Sequence, residues 1–387
     1  MLATLADLLA PVSVSEFLEG FRTGTRLHIS ASDPTRAEPL LSWQDIDTLL
    51  SGHGVDENVA IWRDSMLVPR EFYTSKGGKR LKVRALNDLL AQGVSIIVDE
   101  VHGTIPQIRQ LAAAVEREMG IPTQVNAYIS FSKGSAFKPH WDIFDILAVQ
   151  VHGRKRWRFW KAVVPHPVEH ADSGSIDASA VPDREIDLAP GDVLFIPRGD
   201  PHVAALSAGC SVHLTIGLLS ATGIDFLKHM HKQAARDPLL RANLPRHVSE
   251  EEESAHEAAL KRQLHQLIDA TSMSQFLREG DLSRSPAVQT AVSGETPQTG
   301  DVVRLTLRRR VPLPEALEGK PQCVTIGGEA RRLSPASIDI LRWLFDHDPA
   351  TLRALHAELA PHHGQDAIEA ALRELSRSGF LVVNPAG

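Results

Sequence analysis

Cysteine is scarce in this chain: Cys210 and Cys323 are the only two in 387 residues. They lie far apart and form no CxxC or zinc-like spacing, so neither a disulfide framework nor a thiolate metal site is expected, and a reducing compartment fits. No apolar run approaches the ~18 residues that a membrane helix needs. The opening MLATLADLLAPVSVSEFLEGF has no basic start and carries acid early, unlike a secretory leader. The cytoplasm is the expected location. Positive charge is not in excess. The formal net charge of −7 argues against a general affinity for nucleic acid, though not against a local basic patch. Internal repeats and low-complexity tracts are also missing.

What remains is an ordinary soluble, globular composition, 43% apolar and 23% charged, long enough for two or three domains. The first ~120 residues read as mainly helical with short strands. Ser13 to Glu16 has capping-box spacing, followed by Phe17, Leu18 and Phe21 on an amphipathic turn. Further helices are expected over Ser42–Leu50 and Pro106–Met119. From about Gln124 to Leu219 short apolar or alternating runs are split by Gly, Pro, Asp and Ser, as in Val125–Phe131, Ile143–Val151, Arg156–Trp160, Val193–Ile196 and Val212–Leu219. That texture predicts a compact β-sandwich or barrel.

From Ile224 to about Gly280 the pattern is helical again. Ser249 heads an acidic first turn with Glu252 as its capping-box partner, and Ala258, Leu260, Leu264, Leu267 and Ile268 form a stripe. Residues 283–300 are small, polar and turn-rich and read as a linker. Asp301–Arg308 and Phe380–Val383 read as strands. Helices are expected after Ser334-Pro335 and over Thr351–Leu359 and Gln365–Arg377, a winged-helix-like set. From Asp301 to Gly387 there are 11 Lys+Arg and 11 Asp+Glu. A module that reads DNA needs a basic face, so this balance favours a structural or protein-binding use.

The segment Lys138-Pro-His-Trp-Asp carries the chemistry. His140 and Asp142 are two apart, which on a strand places both side chains on one face. The segment from Ala189 to His202 offers a third ligand: a Pro-Gly-Asp turn, a buried strand Val193–Ile196, a second turn Pro197–Pro201, then His202 opening the next strand. Two imidazoles and one carboxylate make a facial triad with positions left open on iron(II), and the set also suits manganese or nickel. His152, His166, His170 and His213 compete for the role. His152 falls at a hairpin turn and is expected to be exposed, His166 and His170 lie in loop, and His213 sits inside a strand as a pocket or core residue.

These residues resemble the JmjC-type 2-oxoglutarate oxygenases, specifically the ribosomal oxygenase (cupin-4) group. The likeness runs through VNAYISF, PHWD, ILAVQVHGRKRWRFW, GDVLFIPRGDPH and SVHLTIG, and the order of parts is similar across most of the chain. It implies an α+β fold with a double-stranded β-helix (jelly-roll) core over residues 1–220. A helical, dimer-forming region (221–282), a linker (283–300) and a winged-helix-like domain (301–387) would follow. It also implies that Lys155 pairs with the distal carboxylate of 2-oxoglutarate, with Asn126, Tyr128 and Thr215 nearby and His213 and Trp157 lining the pocket. Lys155, Trp157 and Phe159 share one face of their strand, while Arg154, Arg156 and Arg158 share the other. Two departures stand out. Trp141 is bulky for a place between two ligands, and Gly217 replaces a polar residue found in some members.

The activity implied is iron(II)- and 2-oxoglutarate-dependent hydroxylation of a protein side chain, an Arg or His of a ribosomal protein. A small peptide or natural product is the alternative substrate. A non-oxygenase metal-binding cupin is the alternative of another class, and Lys155 is the residue that separates the two.

Overall fold

The computed structural model describes residues 2–51, 58–63, 65–76, 80–131, 136–168, 176, 179–206, 209–287, 299–315 and 320–384. Two compact units divide at Ser220.

In the first unit the helices are α1 (Leu5–Leu9), α2 (Val14–Thr23), α3 (Trp43–Ser51), α4 (Arg70–Tyr73), α5 (Val83–Ala91) and α6 (Pro106–Met119). The strands are β1 (Leu27–Ile29), β2 (Val59–Arg63), β3 (Met66–Leu67), β4 (Ser95–Val98), β5 (Thr123–Ser130), β6 (Asp145–His152), β7 (Lys155–Phe159), β8 (Arg184–Leu188), β9 (Val193–Ile196), β10 (His202–Leu206) and β11 (Ser211–Leu218). Eight strands form one sheet in the order β1-β9-β6-β11-β5-β4-β2-β3, and three form a second, β10-β7-β8. Every pairing is antiparallel. This is a cupin/JmjC fold, mixed α+β, with many helices added to the barrel.

Period-two alternation decides which residues reach the space between the sheets. On β6, Leu147, Val149 and Val151 join a large core with helical residues such as Leu8, Phe17 and Ile108. Ile146 and Ala148 instead join Trp157, Phe159, Ile186, Leu188, Leu194 and Ile196 in a second core between the sheets. On β11, Val212, Leu214, Ile216 and Leu218 take the helical side. His213, Thr215 and Gly217 are thereby left to the inner side, as Asn126 and Tyr128 are on β5.

Two turns explain conspicuous residues. Gly153, at φ +63°, closes the β6–β7 hairpin, and a Cβ there would sit 2.0 Å from the Cys210 carbonyl oxygen. The Gly-Asp turn before β9 ties down the N-terminal segment. Asp192 accepts from Ala31 N at 2.9 Å and from Ala189 N at 3.1 Å, and pairs with His28 Nε2 at 3.0 Å.

Several expectations need correction. Ser13 caps Glu16 N at 3.2 Å, but no reciprocal Glu16 bond completes the box, and Leu18 is exposed. The sequence reading misses α1, although Thr4 and Asp7 complete a capping box at its start, and α5, whose N-cap Lys82 makes no side-chain capping bond. His152 is not an exposed hairpin residue. Its Nε2 bonds Leu41 O at 2.9 Å and its ring stacks on Trp43, because α3 folds back over the hairpin. The segment holding His140 and Asp142 is not a strand. Its one ladder contact is an isolated bridge between His140 and His202.

The second unit contains α7 (Gly223–Ala234), α8 (Pro238–Arg241), α9 (Glu250–Ala270), α10 (Met273–Ser283), β12 (Val302–Leu305), β13 (Gln322–Ile326), β14 (Glu329–Leu333), α11 (Pro335–His347), β15 (Ala350–Thr351), α12 (Leu352–His363), α13 (Gln365–Arg377) and β16 (Leu381–Asn384). Ser249 and Glu252 complete the capping box at the start of α9. None of α7 to α10 has a buried residue. The remainder has its own core, with Ile338, Leu341 and Leu344 of α11 packed with Leu355, Ile368, Leu375 and Leu381. The β13–β14 hairpin is absent from the sequence reading, since its outer face carries charge. Most of the expected linker, 288–298, lies outside the described residues; Ala287 is buried and donates to Thr306 O at 2.8 Å. No helix among the described residues is long and apolar enough to cross a membrane.

Candidate functional site

The two ligand segments are joined backbone to backbone. His140 N donates to His202 O at 3.0 Å, His202 N to His140 O at 2.8 Å, and Gly199 N to Asp142 O at 3.0 Å. The loop carrying HxD is thus fastened along the IPRG turn and the start of β10. The result is a cluster of one donor atom each from His140, Asp142 and His202, all within 4.8 Å of one another. Among the described residues no other group of three or more His, Cys, Asp or Glu is arranged this way.

The two imidazoles are oriented alike. His140 Nδ1 lies 3.0 Å from Lys138 O and His202 Nδ1 lies 2.9 Å from Asp200 O. A backbone carbonyl accepts only from a protonated nitrogen, so each ring is assigned as the Nδ1–H tautomer with its Nε2 lone pair free. That is the arrangement in which histidines bind metal. His202 Nε2 stands 3.6 Å from Asp142 Oδ2. Burial, with His140 adding to it, pushes the His202 pKa down to about 4, so the ring is neutral near pH 7. Two neutral nitrogens and a carboxylate oxygen, the rest of the coordination sphere open, suit a divalent first-row metal.

The triad lines a cavity together with Tyr128, Lys155, Trp157, His213 and Thr215, and with the apolar Ala136, Phe137, Ile146 and Ala204. Strand β7 alternates as expected. Lys155, Trp157 and Phe159 are buried, while Arg156 and Arg158 face out and pair with Asp187 and Glu185 of β8 at 2.8 and 2.9 Å. Lys155 is 3% exposed, and its Nζ is 3.3 Å from His213 Nδ1. Among the described residues no carboxylate pairs with it. Burial alone pushes its pKa down to about 7. His213, stacked on Tyr128 at 4.7 Å, is held well below the usual histidine range, first by burial and then by Lys155. Burial raises the Tyr128 hydroxyl as well, so it stays protonated and able to donate.

Most of the sequence-predicted site residues converge here: His140, Asp142, His202, Lys155, Tyr128, Thr215, His213 and Trp157. Asn126 does not line the cavity. Its Oδ1 accepts from Glu100 N at 3.0 Å, so its side chain is engaged by the backbone before the β5 cavity residues. His166 lies exposed in its loop, and His170 falls outside the described residues. At Gly217 the Phe144 ring fills the space a side chain would need, 3.1 Å from where a Cβ would be. Trp141 is buried without lining the cavity. Sequence reasoning missed Ile146, Phe137 and Arg26. Arg26 bonds Asp200 at 2.5 Å and Asp183 at 3.1 Å, and lies over the Phe159 ring. Only the tertiary fold brings it 174 residues along the chain to the turn before His202.

Two histidines and a carboxylate gathered at a cavity of an antiparallel barrel define a candidate metal centre. Residues 100–226 match the family model described as the JmjC domain. Over 260 residues, 62% of the chain, it is 27% identical to the Drosophila erecta protein named bifunctional lysine-specific demethylase and histidyl-hydroxylase NO66, of which 38% is covered. It is 26% identical over 261 residues to ribosomal oxygenase 2 of Rattus norvegicus, again 62% of this chain but 54% of that protein. The chain thus spans less than two thirds of the length of these relatives. Its fold is similar to that of YcfD, a ribosomal oxygenase from Escherichia coli solved in complex with cobalt and 2-oxoglutarate. That likeness has a TM-score of 0.55 at 17% identity, covering 97% of this chain and 99% of the other. The chain carries a JmjC domain over residues 100–226 and is similar to the ribosomal oxygenases named above.

Proposed function

We propose that this chain is an iron(II)- and 2-oxoglutarate-dependent oxygenase that hydroxylates a protein side chain, an Arg or His of a ribosomal protein. One observation carries the reading: the cavity that holds the His140–Asp142–His202 set also buries the side chain of Lys155 with no carboxylate beside it among the described residues. Burying a lone cation is costly, and a cavity that keeps one is built to receive an anion. A dicarboxylate anchored at both ends meets that need.

Iron would be held by His140, Asp142 and His202 and would supply the oxygen chemistry. The residues of the chain do the rest. Lys155 takes the distal carboxylate, with the Tyr128 and Thr215 hydroxyls as further donors. His213 Nδ1 accepts from Lys155 and holds its ammonium toward the cavity. Ile146, Phe137 and Phe159 keep water from the wall. The relatives named above support a ribosomal-protein side chain as substrate, and the acidic net charge suits a basic partner.

The rest of the chain serves assembly in this reading. Helices α7 to α10 present Ile224, Leu227, Leu264, Ile268, Met273 and Leu277 exposed, with no core of their own, which supports a homodimer interface in the region 221–282. Residues 301–387 act as a winged-helix-like module for protein contacts rather than DNA. A cytoplasmic location agrees with two free cysteines.

The test is incubation of the purified chain with iron(II), 2-oxoglutarate and a panel of ribosomal proteins. Succinate formation coupled to a mass gain of one oxygen on a single Arg or His is expected. Succinate formation that survives His140→Ala or Asp142→Ala would sink the assignment. Loss of a methyl group in place of oxygen gain would replace hydroxylation by demethylation.

A further inference from the structure

Trp157 carries a polar atom that none of the described residues satisfies. The side chain is 3% exposed, lines the cavity, and its indole Nε1 has no hydrogen-bond partner. Buried donors in folded proteins are nearly always paired, and an indole can only donate. Tryptophan is used in cores where its N–H can reach an acceptor, and a phenylalanine would fill an apolar wall without this cost.

The position along β7 says what the acceptor is. Opposite β10, Phe159 pairs with His202, Trp157 with Ala204 and Lys155 with Leu206. Trp157 therefore sits one inward-facing step from the metal-ligand end and one step from the ammonium end. Its ring centroid is 5.6 Å from that of His202 and 5.5 Å from that of His213. Any molecule reaching from the triad to Lys155 passes across this indole. Ile146 and Ala204 beside it are apolar, His213 Nδ1 is engaged by Lys155, and none of the lining oxygens of Tyr128, Asp142 and Thr215 bonds the indole.

We infer that the Trp157 indole N–H donates a hydrogen bond to an oxygen of the dicarboxylate cosubstrate, making Trp157 a specific binding residue of the cavity rather than a filler of its wall. The inference rests on the 2-oxoglutarate reading above. It adds a neutral donor whose direction is set by a rigid ring on a buried strand. The donor's contribution is independent of the charge on Lys155, so it favours an extended oxygen-rich chain over a simple anion such as chloride.

The experiment uses the full chain labelled with indole-15N tryptophan and loaded with zinc(II), a diamagnetic occupant of the same donor set. Six indole resonances are expected from six tryptophans, assigned by single Trp→Phe variants. On titration with 2-oxoglutarate the Trp157 resonance should move to lower field with slowed solvent exchange, while that of Trp43, which stacks on His152 outside the cavity lining, stays in place. Calorimetry should find the affinity of Trp157→Phe for 2-oxoglutarate lowered about 10-fold, with zinc affinity unchanged. If 2-oxoglutarate binds the wild type but the resonance is unmoved and Trp157→Phe binds equally well, the N–H stays against the His213 ring and the inference falls, while the oxygenase reading stands. If the zinc-loaded wild type binds no 2-oxoglutarate, both fall. Should Trp157→Phe fail to fold, the wild-type titration still decides, its resonance assigned by elimination from the other five variants.

Discussion

His140 and His202 exchange two backbone hydrogen bonds, at 3.0 and 2.8 Å, across 62 residues of chain, and each turns its Nδ1–H onto the carbonyl two residues before it. The backbone bridge sets the spacing of the two rings, and the carbonyls set their orientation. The metal site is therefore assembled by main chain as much as by the ligands, and this shapes what perturbs it.

Arg26 should tune metal affinity although it is no ligand. It holds the side chain of Asp200, whose carbonyl orients His202. Arg26→Ala leaves a largely buried carboxylate unpaired and frees the turn. Affinity for cobalt(II), read from its visible absorption, should drop about 10- to 100-fold, with Arg26→Lys in between. Equal affinity in all three proteins would show that the turn is held without the clamp.

Cosubstrate binding should take up a proton above neutrality. In the empty cavity burial lowers Lys155 to about 7, and a bound dicarboxylate restores the charged form. At pH 8.5 calorimetry in buffers of different ionisation heat should find close to one proton absorbed per 2-oxoglutarate, and at pH 5.5 almost none, since Lys155 is already charged. The same shift acts on the stability of the ligand-free protein. Between about 7 and the ordinary 10.5 the unfolded chain holds a proton that the folded one lacks, so the Lys155 contribution to stability rises with pH through that window. It is least favourable below pH 7, where the folded protein buries the charge. Lys155→Met should abolish both effects.

Gly153→Ala should destabilise the barrel. The residue needs φ +63°, and its Cβ would meet the Cys210 carbonyl. A loss of about 2–4 kcal/mol in urea unfolding is expected, more than the strain of a left-handed residue alone, because backbone must move. A loss below 0.5 kcal/mol would mean that the β6–β7 hairpin adapts freely.

Charge placed on α9 should separate copies of the chain. Leu264→Glu and Ile268→Glu sit at exposed apolar positions. Sedimentation should find the wild type as a dimer and the double variant as a monomer with unchanged cobalt binding. A wild-type monomer at micromolar concentration would remove the assembly role proposed for residues 221–282.

Much of this was legible in residue order. HxD, the GD turn, the apolar VLFI run and the IPRG turn before His202 are local signals, each tied to one strand or turn. The alternation of Lys155, Trp157 and Phe159 against three arginines also survives folding, because strand period two is a property of the backbone. Helices with strong caps or a clean start, such as those after Ser249, Ser334 and Ile105, fall where local chemistry puts them. The strand assignment for HxD failed for a physical reason. A segment pinned by one bridge and a Gly199–Asp142 contact needs no ladder, and no local pattern encodes its geometry.

The sequence by itself determined the types of the candidate ligands and the shared face of Lys155, Trp157 and Phe159, since these follow from side-chain chemistry and backbone period. Only the tertiary structure decided that the Asn126 side chain accepts from Glu100 N, that His213 holds Lys155, that Phe144 fills the space at Gly217, and that Arg26 clamps the His202 turn. Each depends on segments far apart in the chain meeting across a sheet or a turn, and the distances between them are set by packing rather than by spacing in sequence.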